Sequence, residues 1–402
     1  MIFDYFYPSA WSSEMVLELI DAVLFLLFGI AVLYLLIFAV KSVGKRKTVY
    51  PPSKRKYKFI AVFPAYMEDR VIVNSVKSFF EQSYPRDKFD VLVVSDRMED
   101  STNKELEETG AFVLKRNFEN STKTKALQEA VKYLDMNKME YDYIVILDAD
   151  NWVDEYFLDK MNDAFYSGCA AIQTHRVAKN YNTNIALLDS VSEEINNSIF
   201  RKGHTRLGFS SGLIGSGMAF EYDLFRKFIT QSGHIGVDKQ LEMFLLKSGY
   251  YIEYLPEIYT YDEKVSKRNQ FYKQRRRWIS TQIHNFFYGV WACPKAAIEG
   301  NWDYCNKLFQ WSMPPRIILL GFIFILALGF TLAGSTLAIK WWALLGVMGL
   351  VFLLAIPDYL FNSKLIRAIA SIPLLFLMMV VNSFIALFSR NKKFIHTEHY
   401  EE

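Results

Sequence analysis

Two apolar regions enclose a polar centre in this chain, and this division constrains the fold more than any other feature. Ala22 to Val40 carries no charged residue and is long enough to cross about 30 Å of hydrocarbon as a helix. Three further uncharged blocks, Ile317 to Ile339, Trp341 to Pro357 and Ala368 to Ser389, crowd the C-terminal end. The sequence therefore predicts transmembrane helices at both ends and a polar domain between them.

The chain divides into six predicted segments on this basis. They are an N-terminal transmembrane helix (1–45), a basic linker (46–58), a central domain (59–270), aromatic-rich interfacial helices (271–312), about three C-terminal transmembrane helices (313–390) and a tail (391–402). The central segment has ordinary polar content and is long enough to form one domain with its own core.

Basic residues follow the first apolar block and set the expected orientation. They are Lys41, Lys45, Arg46, Lys47, Lys54, Arg55, Lys56 and Lys58, with no acidic residue among them. By the positive-inside rule the central domain is predicted to be cytoplasmic. Three C-terminal spans would place Arg390, Lys392 and Lys393 on the opposite side, against the same rule, so the number of true spans stays open.

Charge and cysteine usage exclude some classes of partner and site. The net charge of +3 is small, and the basic residues lie beside apolar segments, which argues against a nucleic-acid partner and for membrane lipids. Cys169, Cys293 and Cys305 lack a metal-ligand spacing, and their odd number suits reduced thiols. The histidines are scattered without a zinc spacing.

Strand and helix patterns alternate through the first half of the central domain. Apolar residues recur at helical spacing over 71–80 and 126–134. Short apolar runs typical of buried strands lie between and around these helices: Phe59 to Ala65, Phe89 to Ser95, Ala111 to Leu114 and Tyr143 to Leu147. This alternation predicts a layered α/β fold.

Acidic residues follow two of these predicted strands. Asp96 and Asp148 stand at the carboxyl ends of their strands, where open α/β sheets bind ligands. Asp148 and Asp150 are separated by one residue, a spacing that can hold Mg²⁺ or Mn²⁺ and leave room for phosphate oxygens and water. Such a triplet alone is more typical of a solvated turn, and the metal interpretation depends on its position after a strand and on the further motifs described next.

Further motifs occur in a fixed order along the chain. They are PAYME at 64–68, Asp96, KTKALQ at 123–128, the acidic pair, Gln173 with Thr174, Asp238 before an apolar helical pattern, and QRRRW at 274–278. Together they resemble the family-2 glycosyltransferases of the processive type, which include cellulose, chitin and hyaluronan synthases. The resemblance covers roughly 59–278 and implies a glycosyltransferase-A-like domain with a mixed sheet, flanked by transmembrane helices.

The resemblance also implies a role for each matched residue. The residues expected to bind the nucleotide sugar are Pro64, Ala65, Tyr66, Glu68, Asp96, Lys123, Asp148, Gln274, Arg277 and Trp278. Gln173, Thr174 and Trp278 are expected near the acceptor, and His175 is a further candidate because it follows them directly. Asp148 and Asp150 are expected to hold the metal, and Asp238 to be the catalytic base.

Two of these assignments compete with simpler interpretations. Asp238 could cap the N-terminus of the helix that follows it, and Gly236 and Val237 replace the threonine and glutamate usual before the family's base. The QRRRW segment could anchor a helix at the membrane surface, with arginines at the headgroups and Trp278 at the interface. An arginine fork also pairs well with diphosphate oxygens, and an indole offers a flat surface to a sugar ring.

The implied reaction is a direct displacement that inverts the anomeric carbon, with Asp238 accepting the proton of an acceptor hydroxyl. We expect an integral protein of a bacterial inner membrane that elongates a polysaccharide from a nucleotide sugar, with UDP as the expected nucleotide. One alternative is transfer of a single sugar to a lipid, and another is an inactive scaffold that binds nucleotide sugar. Four spans would leave a translocation channel incomplete, so a second copy or an accessory subunit is expected as a further partner of a polysaccharide synthase. Phe394 to Thr397 loosely resembles the gating loop of the synthases.

Overall fold

The computed structural model describes residues 13–44, 50–233 and 236–388. Its strands are β1 (Phe59–Tyr66), β2 (Phe89–Asp96), β3 (Phe112–Arg116), β4 (Tyr143–Ile146), β5 (Trp152–Val153), β6 (Ala171–Ala178), β7 (Met218–Glu221) and β8 (Ile252–Asp262). Its α-helices are α1 (Ser13–Ser42), α2 (Ile72–Phe80), α3 (Asp100–Glu108), α4 (Lys123–Met136), α5 (Phe157–Tyr166), α6 (Asn184–Asn196), α7 (Tyr222–Ile229), α8 (Val237–Lys247), α9 (Arg268–Gly289), α10 (Cys293–Ile298), α11 (Trp302–Ser312), α12 (Arg316–Leu332), α13 (Ala338–Ala355), α14 (Ser363–Ile369) and α15 (Ile372–Phe388). A π-helical segment, Asn197–Gly203, continues α6.

The described strands form one mixed sheet in the order β3, β2, β1, β4, β7, β6, β8, β5. β1 pairs in parallel with β2 and β4, and β2 with β3, whereas β7 runs antiparallel to β4 and β6. The predicted α/β fold with a mixed sheet is confirmed, and the four predicted strands are β1 to β4. Because the carboxyl ends of these parallel strands meet at one edge, the residues that follow them lie side by side.

Successive side chains of β1 point to opposite faces of the sheet and contribute to two separate apolar cores. Ile60 and Val62 pack with residues of α4, α7 and α8 on one face of the sheet. Phe59, Ala61 and Phe63 pack with residues of α2, α3 and α5 on the other. All five side chains are fully buried. Helices therefore cover both faces of the sheet, and a pocket can open at the strand ends.

Two described helices are long and apolar enough to cross a membrane, Met15–Ser42 within α1 and Ala338–Ala355, which is α13. The pair α11 and α12 bends by 56° and the pair α14 and α15 by 51°, and the number of spans rises to four if each pair counts as one. The predicted block Trp341 to Pro357 falls on α13. Arg390, Lys392, Lys393 and the segment 394–397 lie outside the described residues.

The other two apolar blocks are interrupted where the sequence predicted continuous spans. The block Ile317 to Ile339 is helical as far as Leu332, where Gly334 with φ +65° ends the helix in a left-handed conformation. The block that begins at Ala368 breaks between α14 and α15, near Pro373. Proline lacks the N–H that a continuing helix needs, and its ring clashes with the preceding turn.

The N-terminal helix and the C-terminal helices pack against each other and against α6 of the central domain. Val32, Leu35 and Phe38 of α1 join a buried cluster that includes residues of α6, α12 and α13. α6 is itself connected to β6 of the sheet by a short loop. The position of the membrane helices relative to the sheet is therefore fixed by apolar packing on α6.

A polar contact joins α1 to α13 inside this apolar bundle. The Asp21 carboxylate forms an ion pair with Lys340 and accepts a hydrogen bond from Trp341 Nε1 at 2.7 Å. Asp21 is 4% exposed and Trp341 is fully buried. Because an unpaired charge in such a place is costly, this pair selects one register of α1 against α13.

We expect Asp21→Ala to lower the free energy of unfolding by about 3–5 kcal/mol, because it leaves the Lys340 ammonium without its counter-charge. Denaturant unfolding of the purified protein in detergent measures this loss. The double variant Asp21→Asn with Lys340→Met removes both charges and is expected to be less destabilised than Asp21→Ala. An Asp21→Ala variant as stable as the wild type would show that the ion pair contributes nothing.

Candidate active site

One cavity of about 1470 Å³ connects the carboxyl ends of β1, β2 and β4 with the membrane helices. Its polar end is defined by the residues that follow these strands, and its apolar end by wall residues from Ile317 onward. The predicted site residues on its wall are Pro64, Ala65, Tyr66, Glu68, Asp96, Lys123, Asp148, Asp150, Asp238, Gln274, Arg277 and Trp278. Folding thus brings distant parts of the chain to one space.

The end of β2 and the turn after β1 are bonded to each other at the polar end. The backbone N–H of Met67 donates to the Asp96 carbonyl at 3.1 Å, and Met67 has a φ of 56° that ends the strand. The Asp96 carboxylate is 3% exposed and accepts from the N–H of Phe118 at 3.1 Å. This places Asp96 beside Tyr66 and Glu68 on the same wall.

Lys123 and Asp148 form an ion pair beside the cavity. Lys123 begins α4, and its Nζ also donates to the carbonyl of Gly215 at 2.7 Å. The backbone N–H of Asp148 donates to Asn151 Oδ1 at 3.0 Å and to Ser216 Oγ at 3.1 Å. The pair puts a fixed positive charge and a fixed negative charge where the resemblance implies a diphosphate and its metal.

Asp150 lies deeper than Asp148 and is 2% exposed. Its Oδ2 accepts from the backbone N–H of Glu263 at 2.8 Å and its Oδ1 from Asn151 Nδ2 at 3.3 Å. These bonds fix the carboxylate before any ligand binds.

The two aspartates fit a divalent cation that shares its coordination with a substrate. Carboxylate oxygens are the ligands that Mg²⁺ and Mn²⁺ prefer. Within 13–44, 50–233 and 236–388, no group of three or more His, Cys, Asp or Glu is arranged to hold a metal by itself. Asp148 and Asp150 would therefore leave several coordination positions to phosphate oxygens and water.

A network of buried charges underlies the acidic pair, and no motif in the sequence indicates it. Glu193 on α6 pairs with Arg201 at 3.0 Å and with Arg176 of β6 at 3.6 Å. Asp262 at the end of β8 pairs with Lys264 at 2.9 Å and with Arg176 at 3.5 Å. Each of these residues is less than 8% exposed. Their spacing along the chain gives no signal, because the partners come from different elements.

Asp238 is the second residue of α8 and does not cap it. The N-cap is Gly236, with φ 65° and ψ 70°. The Asp238 side chain lies on the cavity wall and forms no hydrogen bond with the part of the chain that the structure describes. The helix-cap interpretation is therefore wrong, and Asp238 lines the same cavity as Asp148 and Asp150.

Glycine at position 236 is required by two features of the structure. Its positive φ is a conformation that residues with a side chain rarely adopt. A Cβ built there would overlap the Cγ2 atom of Thr281 on α9. The glycine that departs from the family's usual threonine thus lets α8 approach α9 closely and brings Asp238 beside the QRRRW helix.

Arg277 connects the candidate base with the acidic pair. Burial lowers the pKa of Arg277, and the negative charges of Asp238 and Asp148 act in the opposite direction. Both carboxylates are therefore close enough to influence one guanidinium. An arginine between a base and a bound diphosphate can stabilise negative charge that develops on the leaving group.

The other residues of the QRRRW motif have separate surroundings. Gln274 and Trp278 line the cavity. Arg275 forms an ion pair with Asp189 of α6, and its guanidinium lies 4.6 Å from the centre of the Trp278 ring. Arg275 thus orients the indole, so the motif both builds the cavity wall and connects α9 to the domain.

Gln173, Thr174 and His175 do not reach the cavity wall. Gln173 is fully buried in β6, and its Nε2 donates to the carbonyls of Ser216 at 2.9 Å and Gly217 at 3.2 Å. The imidazole of His175 is engaged by a carbonyl and a carboxylate, each at 3.0 Å. Gln173 and Thr174 thus hold the loop that precedes β7, whereas His175 connects β6 with Pro256 of β8 and Glu194 of α6.

A protein-family model described as glycosyl transferase family group 2 matches residues 143–385. The match covers more than half of the chain and includes Asp148, Asp238 and the QRRRW helix. This chain belongs to glycosyl transferase family group 2. The family-2 part of the sequence expectation is confirmed, and the family match does not distinguish processive from single-sugar transfer. No curated protein sequence matches the chain.

The fold of this family member is similar to that of a mannosyltransferase from Pyrobaculum calidifontis, solved in complex with GDP-Man and Mn²⁺. The TM-score is 0.59 at 18% identity, over 92% of this chain and 99% of that one. TarS from S. aureus, in complex with UDP-GlcNAc, gives a TM-score of 0.39 at 16% identity, over 82% and 90% of the two chains. At 18% identity, the likeness to the mannosyltransferase supports the fold alone. The TM-score with TarS is too low to add support.

We expect Gly236→Ala to reduce kcat by about tenfold or more, because the strain at φ 65° and the overlap with Thr281 displace Asp238 from its productive position. Steady-state rates of nucleoside diphosphate release measure the effect. Thr281→Ser removes the overlapping methyl and is expected to restore part of the rate in the double variant.

Gly249→Ala is the matched control for this prediction. Gly249 follows the other end of α8 with φ 77°, and a Cβ added there would meet no atom within 4 Å. It therefore introduces comparable strain without contact and is expected to keep the wild-type kcat. Equal losses in both variants would show that general strain, and not the position of Asp238, limits the rate.

Proposed function

We propose that this protein is an inverting glycosyltransferase that moves one sugar from a nucleoside-diphosphate donor to the head of a lipid-linked acceptor. The observation that carries the proposal is the cavity itself, which joins a polar end with fixed charges to an apolar end among the membrane helices. A donor and a membrane-embedded acceptor can meet inside it. The basic residues after the first span favour a cytoplasmic position for the polar end.

The polar end supports a donor that carries a diphosphate. Lys123 and Arg277 both supply positive charge near Asp148, and Asp148 with Asp150 would hold a divalent cation. When bound, that cation supplies further positive charge to the departing diphosphate. The similar mannosyltransferase was solved with GDP-Man and Mn²⁺, which agrees with this donor class.

The proposed reaction needs one base and no covalent intermediate. An acceptor hydroxyl attacks the anomeric carbon, and its proton passes to the Asp238 carboxylate. The bond from that carbon to the donor phosphate oxygen breaks, and the nucleoside diphosphate leaves with the electron pair. Arg277 and Lys123 stabilise its charge, and attack opposite to the leaving group inverts the anomeric configuration.

The apolar end favours a lipid over a growing polysaccharide. From residue 317 onward every wall residue is apolar; examples are Leu320, Phe352, Ile356 and Met379. A sugar chain has hydroxyl groups that lose hydrogen bonds with water on entry, and these wall residues offer no side-chain replacement. Alkyl or prenyl chains form no hydrogen bonds with water that could be lost, and burial of their apolar surface is favourable. Polysaccharide elongation, the leading expectation from sequence, is therefore the second candidate.

We expect Asp238→Asn to reduce the transfer rate by about 10²–10⁴-fold while donor binding persists, because the amide cannot accept the hydroxyl proton. Nucleoside diphosphate release and equilibrium binding of the donor are measured on the same preparation. Asp223→Asn, at an exposed position on α7, is the control and is expected to keep full activity. Turnover retained by Asp238→Asn would remove Asp238 from the base role.

We expect Gly349→Phe to block transfer to a lipid acceptor, because Gly349 lines the apolar end and a Cβ added to it would meet no atom within 4 Å. Because the backbone leaves room for the Cβ, we expect the ring to extend into the cavity. Gly346→Phe is the matched control, since Gly346 lies in the same helix with equal room and is not on the wall.

The measurement is product analysis with a membrane lipid extract and a panel of labelled nucleotide sugars. One lipid-linked product that disappears in Gly349→Phe and remains in Gly346→Phe supports the proposal. A ladder of water-soluble oligosaccharides would instead identify a polymerase. Absence of diphosphate release with every donor would favour the inactive scaffold.

A further inference from the structure

Arg316 lies where the cavity wall changes from polar to apolar. It is the first residue of α12; among the wall residues Gln310, Trp311 and Met313 to Pro315 precede it along the chain, and Ile317 and Leu320 follow it. The apolar block predicted from the sequence begins one residue later and excludes this arginine. Along the chain, Arg316 is the last charged residue that lines the cavity.

The contacts of Arg316 are unusual for a partly buried arginine. Its Nη2 donates to the carbonyl of Ser192 at 3.2 Å and to Asn196 Oδ1 at 2.8 Å. Its Nη1 is buried and has no hydrogen-bond partner in the part of the chain that the structure describes. Among those same residues no carboxylate lies within 4.0 Å of it. The hydrogen bonds of this permanent positive charge thus go to neutral groups, and the Glu193 carboxylate acts on it only from beyond 4.0 Å.

The neighbouring buried arginines differ in this respect. Arg176 and Arg201 both pair with the carboxylate of Glu193, and Arg275 pairs with Asp189. Arg275 is also the charged residue that acts most strongly on Arg316, and the two like charges repel. A buried charge without a counter-charge is costly. An anion from outside the chain would balance Arg316, and the cavity gives such an anion access.

Further buried donors and acceptors without partners belong to residues of the cavity wall. In addition to Arg316 Nη1, Arg275 Nε has no partner within the described ranges, and neither do Gln274 Oε1 and Gln310 Oε1. All four residues line the cavity. Buried polar atoms are nearly always satisfied in native proteins, so a cluster of exceptions on one wall indicates a polar ligand at that position.

We propose that Arg316 binds a phosphate group of the acceptor, so that the acceptor is a lipid phosphate or diphosphate with its apolar chain in the apolar end. This inference rests on the proposed lipid acceptor and names its headgroup. An arginine is suited to the task because its planar fork donates two parallel hydrogen bonds to phosphate oxygens. Phosphate at the boundary would also set how far the lipid enters.

The position of Asp238 defines the reacting group further. A phosphate oxygen is already ionised at neutral pH and needs no base, whereas a hydroxyl does. With Asp238 as the base, the attacking atom is a hydroxyl at the polar end, and the phosphate at Arg316 lies between it and the chain. The acceptor that fits is a lipid-linked sugar with phosphate between sugar and lipid.

The test compares farnesyl phosphate, farnesol and inorganic phosphate as probes for the purified full chain in neutral detergent. Mn²⁺ and saturating UDP or GDP are present throughout, so that the polar end is filled. Binding is followed by native mass spectrometry or by the fluorescence of the cavity tryptophans. We expect the wild type to bind farnesyl phosphate about tenfold or more tightly than farnesol, and to bind inorganic phosphate weakly.

Arg316→Gln is expected to remove the preference for farnesyl phosphate while leaving farnesol binding unchanged, and Arg316→Lys to retain part of it. Arg367→Gln, an arginine of α14 that is not on the cavity wall, is expected to behave as the wild type. Thermal unfolding checks that each variant is folded. The comparison of the three probes on the wild type tests the proposal even if Arg316→Gln does not fold.

Several results would overturn the phosphate site. Equal binding of farnesol and farnesyl phosphate would overturn the phosphate site, and the proposal of a lipid acceptor would remain. A preference that survives Arg316→Gln would place the phosphate elsewhere. Displacement of farnesyl phosphate by equimolar inorganic phosphate, or by dioleoyl phosphatidate, would identify a general anion site or bulk membrane lipid instead of an acceptor. If neither farnesyl probe binds, the lipid acceptor itself fails.

Discussion

Glu193 is the buried carboxylate through which the sheet, the membrane helices and the cavity are held in one arrangement. Burial alone would raise its pKa, but Arg201, Arg176 and Lys264 outweigh burial and lower the pKa to about 2. Glu193 lies on α6, and one side of this helix packs against α1 and α12. The Glu193 side chain points to the other side, towards β6 and β8. Because charges buried in this way tolerate little displacement, the spacing between Asp150 and the membrane helices is fixed.

The chemistry along the cavity follows from the kind of residue at each level. The carboxyl ends of parallel strands supply Asp96 and Asp148, which suit a nucleotide and a metal-bound diphosphate. The start of α8 supplies Asp238, and α9 supplies the arginine and tryptophan that line the same cavity. Further along the chain, Arg316 is the last charged wall residue before the apolar wall residues begin. A molecule that is polar at one end and apolar at the other matches this order along its length.

Glycine and proline positions explain where sequence and structure diverge. Gly236 looked like a departure from the family pattern, and its conformation and its contact with Thr281 show why a larger residue would not fit there. Gly334 and Pro373 interrupt apolar blocks that composition alone presents as continuous. Composition reports how apolar a segment is, whereas helix breaks depend on single residues whose backbone preferences oppose the surrounding pattern.

The sequence by itself determined the elements and their polarity. Apolar runs located β1 to β4, uncharged blocks located the membrane helices, and the family motifs named Asp148, Asp238 and Trp278. These signals are local, since periodicity and motif spacing are read within a few residues. Tertiary structure alone decided that Gln173 is buried beneath a loop, that Glu193 joins three cations and that Arg316 has a buried Nη1 without a partner among the described residues. Such properties depend on atoms contributed by segments far apart in the chain, and packing alone brings those atoms together.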